Sequence, residues 1–314
     1  QSALKVHEKS EVGSLLVGFE IEFVLLSEED ELYKPADHTS GYSRTAGLQA
    51  TILDMSKEVL DALAMSEIPV RHFHTEVSGQ LKVAIAPLPP MQAIDALYLA
   101  RETIRDIFIQ HDIRASMAPR PIFDGPQNGC HMHLSLSGGD IGLAEPFLAG
   151  ILAKIRPLCA LGMANVESYA RVIHDGAGLF IGWGTDNRDL PVRKVGERHW
   201  EFRIVDATSN AYLFLAALLY AGAKGTRERL PLHFKDCNVL VEQMSSATRK
   251  EYGIIDAMPN SLGDTLEALK SDADFADWLG QDCLQQYVSG KEEEIGRFGI
   301  MDEEERRRKF VEYF

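Results

Sequence analysis

Apolar and polar residues alternate with a period of two through Phe19, Glu20, Ile21, Glu22 and Phe23, which predicts a strand over Val17–Leu26. The same test predicts strands at His131–Ser137 and Trp200–Val205, another over Ser116–Phe123, and one or two over Val70–Pro87 with a turn at Ser78–Gly79. Helical spacing covers Leu48–Ala64, Glu145–Asn165 and Asn210–Ala223. A further helix opens at Pro89–Pro90 and runs through His111, with Ala93, Ala96, Leu97, Ala100, Ile104 and Ile107 along one side. Ser27–Gly47 is polar, with Pro35 and Gly41, and reads as a long loop. The stretch holding Gly182, Gly184 and Pro191 also reads as loop, and the C-terminal third as helical. Strands grouped early with helices interspersed, and no linker-like or low-complexity segment, predict one continuous α+β domain with a largely antiparallel sheet.

The polar faces of these strands are chemically selective. Glu20 and Glu22 share one face, as do His131, His133 and Ser135, then His199, Glu201 and Arg203, and finally His72, His74 and Glu76. A single face of this kind is ordinarily the wet side of an antiparallel sheet. Four of them, built from Glu, His and Arg with little Lys, Thr or Gln, point elsewhere. Neighbouring carboxylates repel unless a cation lies between them. Carboxylates with one imidazole suit Mg²⁺ or Mn²⁺ better than zinc.

Charge narrows the class. The 314-residue chain carries a formal net charge of −15 and shows no basic stripe, which argues against nucleic-acid binding. The basic run Arg306–Lys309 follows Glu303–Glu305 directly and reads as a solvated helix face. Cys130, Cys159, Cys237 and Cys283 are widely spaced, with no C-x-x-C pair, and read as reduced thiols of a cytoplasmic protein. No apolar run approaches the length of a membrane span. An acidic protein that handles phosphate needs metal ions or local arginines. Arg188, Arg193, Arg198 and Arg203 fall in one short stretch, and arginine offers planar bidentate contacts to phosphate and carboxylate. No Walker A or Rossmann glycine pattern is present, so phosphate binding would rest on metals and arginines.

Six motifs then stand in one order. They are Glu20-x-Glu22; His74-x-Glu76 followed by Gly79-Gln80; and Asn128-Gly129-x-His131-x-His133-x-Ser135. After them come Asn165-x-x-Ser168-Tyr169-x-Arg171, then Asn187-Arg188 with Arg193, and Glu201-x-Arg203 with Asn210-x-Tyr212-Leu213. This order resembles glutamine synthetase of type I, and more closely the synthetase-like halves of some fungal proteins. The resemblance runs from about Val17 to the C-terminus.

It implies a catalytic domain whose curved antiparallel sheet forms a funnel-shaped site. The implied reaction phosphorylates the glutamate side-chain carboxylate with ATP, after which ammonia displaces phosphate. By motif position Glu20, His131 and Glu201 are the implied ligands of the ion that holds the ATP phosphates, and Glu22 and Glu76 those of a second ion, both Mg²⁺ or Mn²⁺. His133 and Ser135 fall where the family contacts the nucleotide. Arg171 matches the arginine that grips the substrate carboxylate. Arg188, Arg193 and Arg203 match those that steady phosphates and developing charge, and Arg198 joins the nucleotide-binding set. The implied partners are ATP, glutamate or a similar amino acid, ammonia or an amine, and further copies of the chain in a homo-oligomer.

Four departures qualify this picture. The family's third glutamate ligand of the second ion falls at Lys82, whose ammonium can supply charge but cannot ligate. The Glu76–Gly79 segment is one residue short, which leaves the register of Lys82 open. The glutamate that helps deprotonate ammonium falls at Ala177, with Asp175 nearby. The loop before His131 reads Pro-Gln-Asn-Gly-Cys rather than the glycine-rich family loop, and the family's N-terminal β-grasp domain is not in this sequence. Two readings follow: a ligase with altered or weak amine use, and a pseudoenzyme that keeps nucleotide and metal binding for a regulatory or developmental role.

Overall fold

The computed structural model describes residues 1–27, 42–43, 48, 50–77 and 79–314. The expected loop over Ser27–Gly47 lies almost wholly outside these residues, as does Ser78 of the expected turn. In chain order the described elements begin with α1 (Ser2–Glu8), β1 (Ser14–Leu26), α2 (Ala50–Met65), β2 (Val70–Thr75), β3 (Gln80–Leu88), α3 (Pro90–Ile109), β4 (Arg114–Ser116) and β5 (Cys130–Ser137). They continue with α4 (Ala144–Leu152), α5 (Ile155–Gly162), β6 (Trp183–Thr185), β7 (Val192–Gly196), β8 (His199–Phe202) and α6 (Ala211–Glu228). The C-terminal helices are α7 (Ser246–Glu251), α8 (Leu262–Ser271), α9 (Ala273–Leu279), α10 (Gln281–Gly299) and α11 (Glu303–Tyr313). The fold is α+β and, apart from the parallel β6–β7 pair, the ladders of known register are antiparallel.

Two compact units emerge, each discontinuous in sequence. One comprises residues 17–133 and 302–314, the other 1–16 and 134–301. In the first, the strand order is β2-β3-β1-β5, with β4 paired to β1. Phe19, Ile21 and Phe23 are at most 1% exposed and form the apolar side of β1. The Phe23 ring meets Phe108 of α3 with centroids 5.7 Å apart. Burying one face in this way fixes the other, because a slip of one residue would turn both glutamates into the core. In the second unit the order is β5-β8-β7-β6. Helices α4 and α6 meet there at glycines: a Cβ on Gly225 would lie 2.1 Å from the Pro146 carbonyl oxygen, and one on Gly150 would lie 2.2 Å from that of Ala221. Only glycine allows so close a backbone approach.

Some expected elements change. The strand over Ser116–Phe123 stops at Ser116, because Pro119 and Pro121 have no N–H to give a ladder. The helix over Glu145–Asn165 is two helices, with Pro157 in the first turn of α5, where its missing N–H costs nothing. The strand begun at Trp200 ends at Phe202, and the Gly/Pro-rich stretch before it contains β6 and β7. Asn210 caps α6 by accepting from the Leu213 N–H.

Candidate active site

In the first unit, strands β1, β3 and β2 put Glu22, Lys82 and His74 in one cross-strand row. Glu22 stands opposite Lys82, which stands opposite His74. Directly paired residues project to one face, so Lys82 enters the face that already holds Glu20 and Glu22. Its Nζ lies 3.0 Å from Glu20 Oε2, 3.0 Å from Glu22 Oε1 and 2.6 Å from Glu76 Oε1. The register left open by the short Glu76–Gly79 segment is thereby fixed. One ammonium is shared by three carboxylates.

Two imidazoles complete this cluster. His133 Nε2 lies 3.1 Å from Glu20 Oε1, and His131 Nδ1 lies 3.5 Å from Glu20 Oε2 and 3.9 Å from Glu22 Oε1. The loop before β5 shapes the far side. Asn128 donates to the Ser116 and Ala118 carbonyls and accepts from Gln80, and the next N–H, that of Gly129, donates to Glu22 Oε2 at 2.6 Å. Burial alone would favour neutral groups here. For Glu22 the burial penalty is outweighed by the charge of Lys82, then by His131 and the Gly129 N–H, so its carboxyl is held below the usual range. For Glu20 burial is likewise outweighed, by hydrogen bonds from His131 and His133 and by the charge of Lys82. Lys82 is pushed upward despite its burial, because Glu22, Glu20 and Glu76 favour its charge.

The donor sets decide which ions these residues fit. Glu20, Glu22 and His131 each offer an atom within 4.8 Å of the others, a carboxylate-rich set that suits a hard divalent cation. A second ion between Glu22 and Glu76 does not fit. Lys82 holds that place, and an ammonium has three donors and no lone pair to give.

The second unit carries the arginines. Glu201, 1% exposed on β8, is paired with Arg193 Nη1 at 2.9 Å and Arg203 Nη1 at 2.6 Å. Two guanidiniums make a buried carboxylate tenable. Arg203 also reaches back to the chain after Arg171: its Nε donates to the Gly176 carbonyl at 2.9 Å and its Nη2 to that of Asp175. Arg193 reaches Asp186 at 3.1 Å. Arg171 is 1% exposed, lies 3.3 Å from Asp206 and donates to the Arg203 carbonyl at 2.9 Å.

Arg188 is exposed. Arg198, in a left-handed turn at φ 54°, donates to the Gly138 and Val12 carbonyls and thereby anchors the turn between β7 and β8. Ser135 is half-buried on β5, whereas His72 is exposed on β2. One constellation went unread in the sequence. His174 Nδ1 contacts Asp189 Oδ1, and His174 Nε2 lies 3.4 Å from Asp175 Oδ2. Its only signal was an adjacent His-Asp pair close behind the Arg171 motif.

The family described as glutamine synthetase, catalytic domain, matches residues 1–309. The chain belongs to this glutamine synthetase family. Protein fluG of Emericella nidulans is 33% identical over 309 residues, covering 95% of this chain and 35% of that protein. The gamma-glutamylpolyamine synthetase GlnA3 of Streptomyces coelicolor is 30% identical over 288 residues, covering 84% of this chain and 61% of GlnA3. This glutamine synthetase domain thus spans about a third of the first relative and about three fifths of the second. Among solved structures, GmaS in complex with ADP superposes with a TM-score of 0.85 at 22% identity, over 99% of this chain and 76% of that one. No helix among the described residues is long and apolar enough to cross a membrane.

Proposed function

We propose that this domain is an ATP-dependent ligase that joins the side-chain carboxylate of glutamate, or of a similar amino acid, to ammonia or an amine, with Lys82 standing where a second metal ion would. The observation that carries this reading is the Lys82 ammonium within 3.0 Å of Glu20, Glu22 and Glu76. It keeps the charge of the cluster compensated while removing one ion. A divalent cation bound at Glu20 and His131 would neutralise the ATP phosphates and favour attack on the γ-phosphorus. The motif of Glu201 implies a ligand role, and Arg193 and Arg203 hold its carboxylate. Glu22 and Glu76 hold Lys82 in the place of a second ion. Arg193 and Arg203 bring two guanidiniums to the phosphate side, where such groups stabilise developing negative charge. Membership in a family that includes a γ-glutamylpolyamine synthetase supports amines as acceptors.

A second reading, a non-catalytic domain that binds nucleotide for a regulatory role, is favoured by one observation. Ala177, at the family's proton-accepting position, is 0% exposed and carries no titratable group. Phosphate release from Mg·ATP, measured with glutamate and a panel of ammonium and alkylamine salts, separates the two. The ligase reading expects release that depends on both glutamate and amine and falls about 100-fold or more in Glu201→Ala, the scale of losing one preorganised charge. Release no higher than that of the Glu201→Ala protein, with ATP binding retained, would establish the second reading.

A further inference from the structure

An amine reaches a ligase at neutral pH mainly as its ammonium ion, which has no lone pair for attack. Something must take a proton from it. In this chain the family position for that task is Ala177, which is fully buried, with its N–H donating to the Arg171 carbonyl at 2.6 Å. Ala177 itself offers no proton acceptor, and the loop that carries it holds others.

We infer that His174, oriented by the buried Asp189, is the general base that deprotonates the amine. The inference rests on the ligase reading above. Four observations support it. His174 Nδ1 is in contact with Asp189 Oδ1, while the Asp189 side chain is only 4% exposed. Asp189 is itself fixed: its N–H donates to Asn187 Oδ1 at 2.9 Å, and its Oδ2 accepts from the Val241 N–H at 3.1 Å. The negative charge of a buried carboxylate beside Nδ1 favours the proton on that nitrogen and leaves Nε2 as the proton acceptor.

The other face of the ring is open. The His174 side chain is 44% exposed, and Nε2 lies 3.4 Å from Asp175 Oδ2, whose side chain is 65% exposed. Asp175 and Asp189 face the ring, and both are anionic, so the open side at Nε2 attracts a cation. Arg203 clamps this loop through the Asp175 and Gly176 carbonyls and at the same time pairs with Glu201. The base is thus tied to the strand that carries the phosphate-side charges.

The step balances as follows. Nε2 of His174 takes one proton from the ammonium ion held beside Asp175. The nitrogen lone pair released forms the C–N bond to the acyl-phosphate carbon. The C–O bond to phosphate breaks, its electron pair leaves with phosphate, and the second proton lost from nitrogen goes to that phosphate. The amide and hydrogen phosphate result, with His174 protonated.

The test compares ammonium with hydroxylamine, which is mostly unprotonated at neutral pH and needs no base before it attacks. In the full-length protein, His174→Gln is expected to lower the ratio of ammonium to hydroxylamine kcat/KM by about 100-fold, the usual contribution of a general base. Without that base, the ammonium rate should track the free-amine fraction in solution and rise with pH. Asp189→Asn should lower the same ratio, acting through the ring it positions, and carries the test if His174→Gln does not fold. An equal loss with both nucleophiles, or no loss, overturns the inference and leaves the ligase reading standing. A wild-type protein inert toward ammonium, amines and hydroxylamine alike overturns both.

Discussion

At the scale of single residues, Lys82 governs the carboxylate cluster. Three carboxylates around one ammonium are tolerable because each gains a partner in place of water. Removing that ammonium leaves them facing one another in a poorly hydrated site, a change that ordinarily costs about 3–5 kcal/mol. Lys82→Met is therefore expected to lower the unfolding free energy by about that much at neutral pH, with Mg²⁺ recovering part of the loss. Thermal and denaturant unfolding with and without Mg²⁺ would measure it. The pH dependence has a definite sign. The Glu22 carboxyl is depressed by Lys82 against its burial, so its contribution is present above its ordinary value of 4.5 and fades as pH falls through the folded-state value. Lys82 is raised by Glu22, Glu20 and Glu76 against its burial, so its contribution is full below 10.5 and fades only at higher pH. The wild-type protein should show a plateau between these limits. Lys82→Met should instead become more stable on acidification toward pH 5, as its crowded carboxylates take up protons. A flat profile for Lys82→Met would show that Lys82 does not compensate them.

Elements show why some of this was legible in sequence. The polar face of β1 could be read because a period of two ties Glu20 and Glu22 to the buried Phe19, Ile21 and Phe23. The edge of β4 and the break between α4 and α5 were harder, since both depend on where prolines deny a hydrogen bond rather than on apolar spacing. The strands β6 and β7 lay within a glycine-rich stretch that mimics a loop. Their pairing answers to tertiary neighbours: the Gly184 position would put a Cβ 1.8 Å from the Cys237 carbonyl oxygen, a contact between residues distant in sequence. The same distinction predicts opposite outcomes for two glycines in helices. Gly225→Ala in α6 would drive a methyl into the Pro146 carbonyl and is expected to cost about 3 kcal/mol, the upper range of overpacking. Gly296→Ala in α10, where a Cβ meets nothing within 4 Å, is expected to gain about 0.5–1 kcal/mol from helix propensity. Urea unfolding of both variants checks the pair. A neutral Gly225→Ala would mean that α4 and α6 are not held at the close spacing described.

For the molecule as a whole, the family fold and the candidate site were legible to different degrees. The order of six motifs carried the family, because each pairs a backbone requirement with a charge at fixed spacing. Motif order also placed Lys82 among acidic residues, but only the Glu22–Lys82 pairing across β1 and β3 shows that its ammonium meets all three carboxylates. His174 and Asp189 were invisible as a pair, since separate turns of the chain bring them together. Lys82 is proposed to stand in the place of a metal ion, and counting ions tests this most directly. Equilibrium binding of Mn²⁺ to the nucleotide-loaded protein should give one tight ion per chain in the wild type and two in Lys82→Glu, which restores a third carboxylate. Two tight ions in the wild type would contradict it.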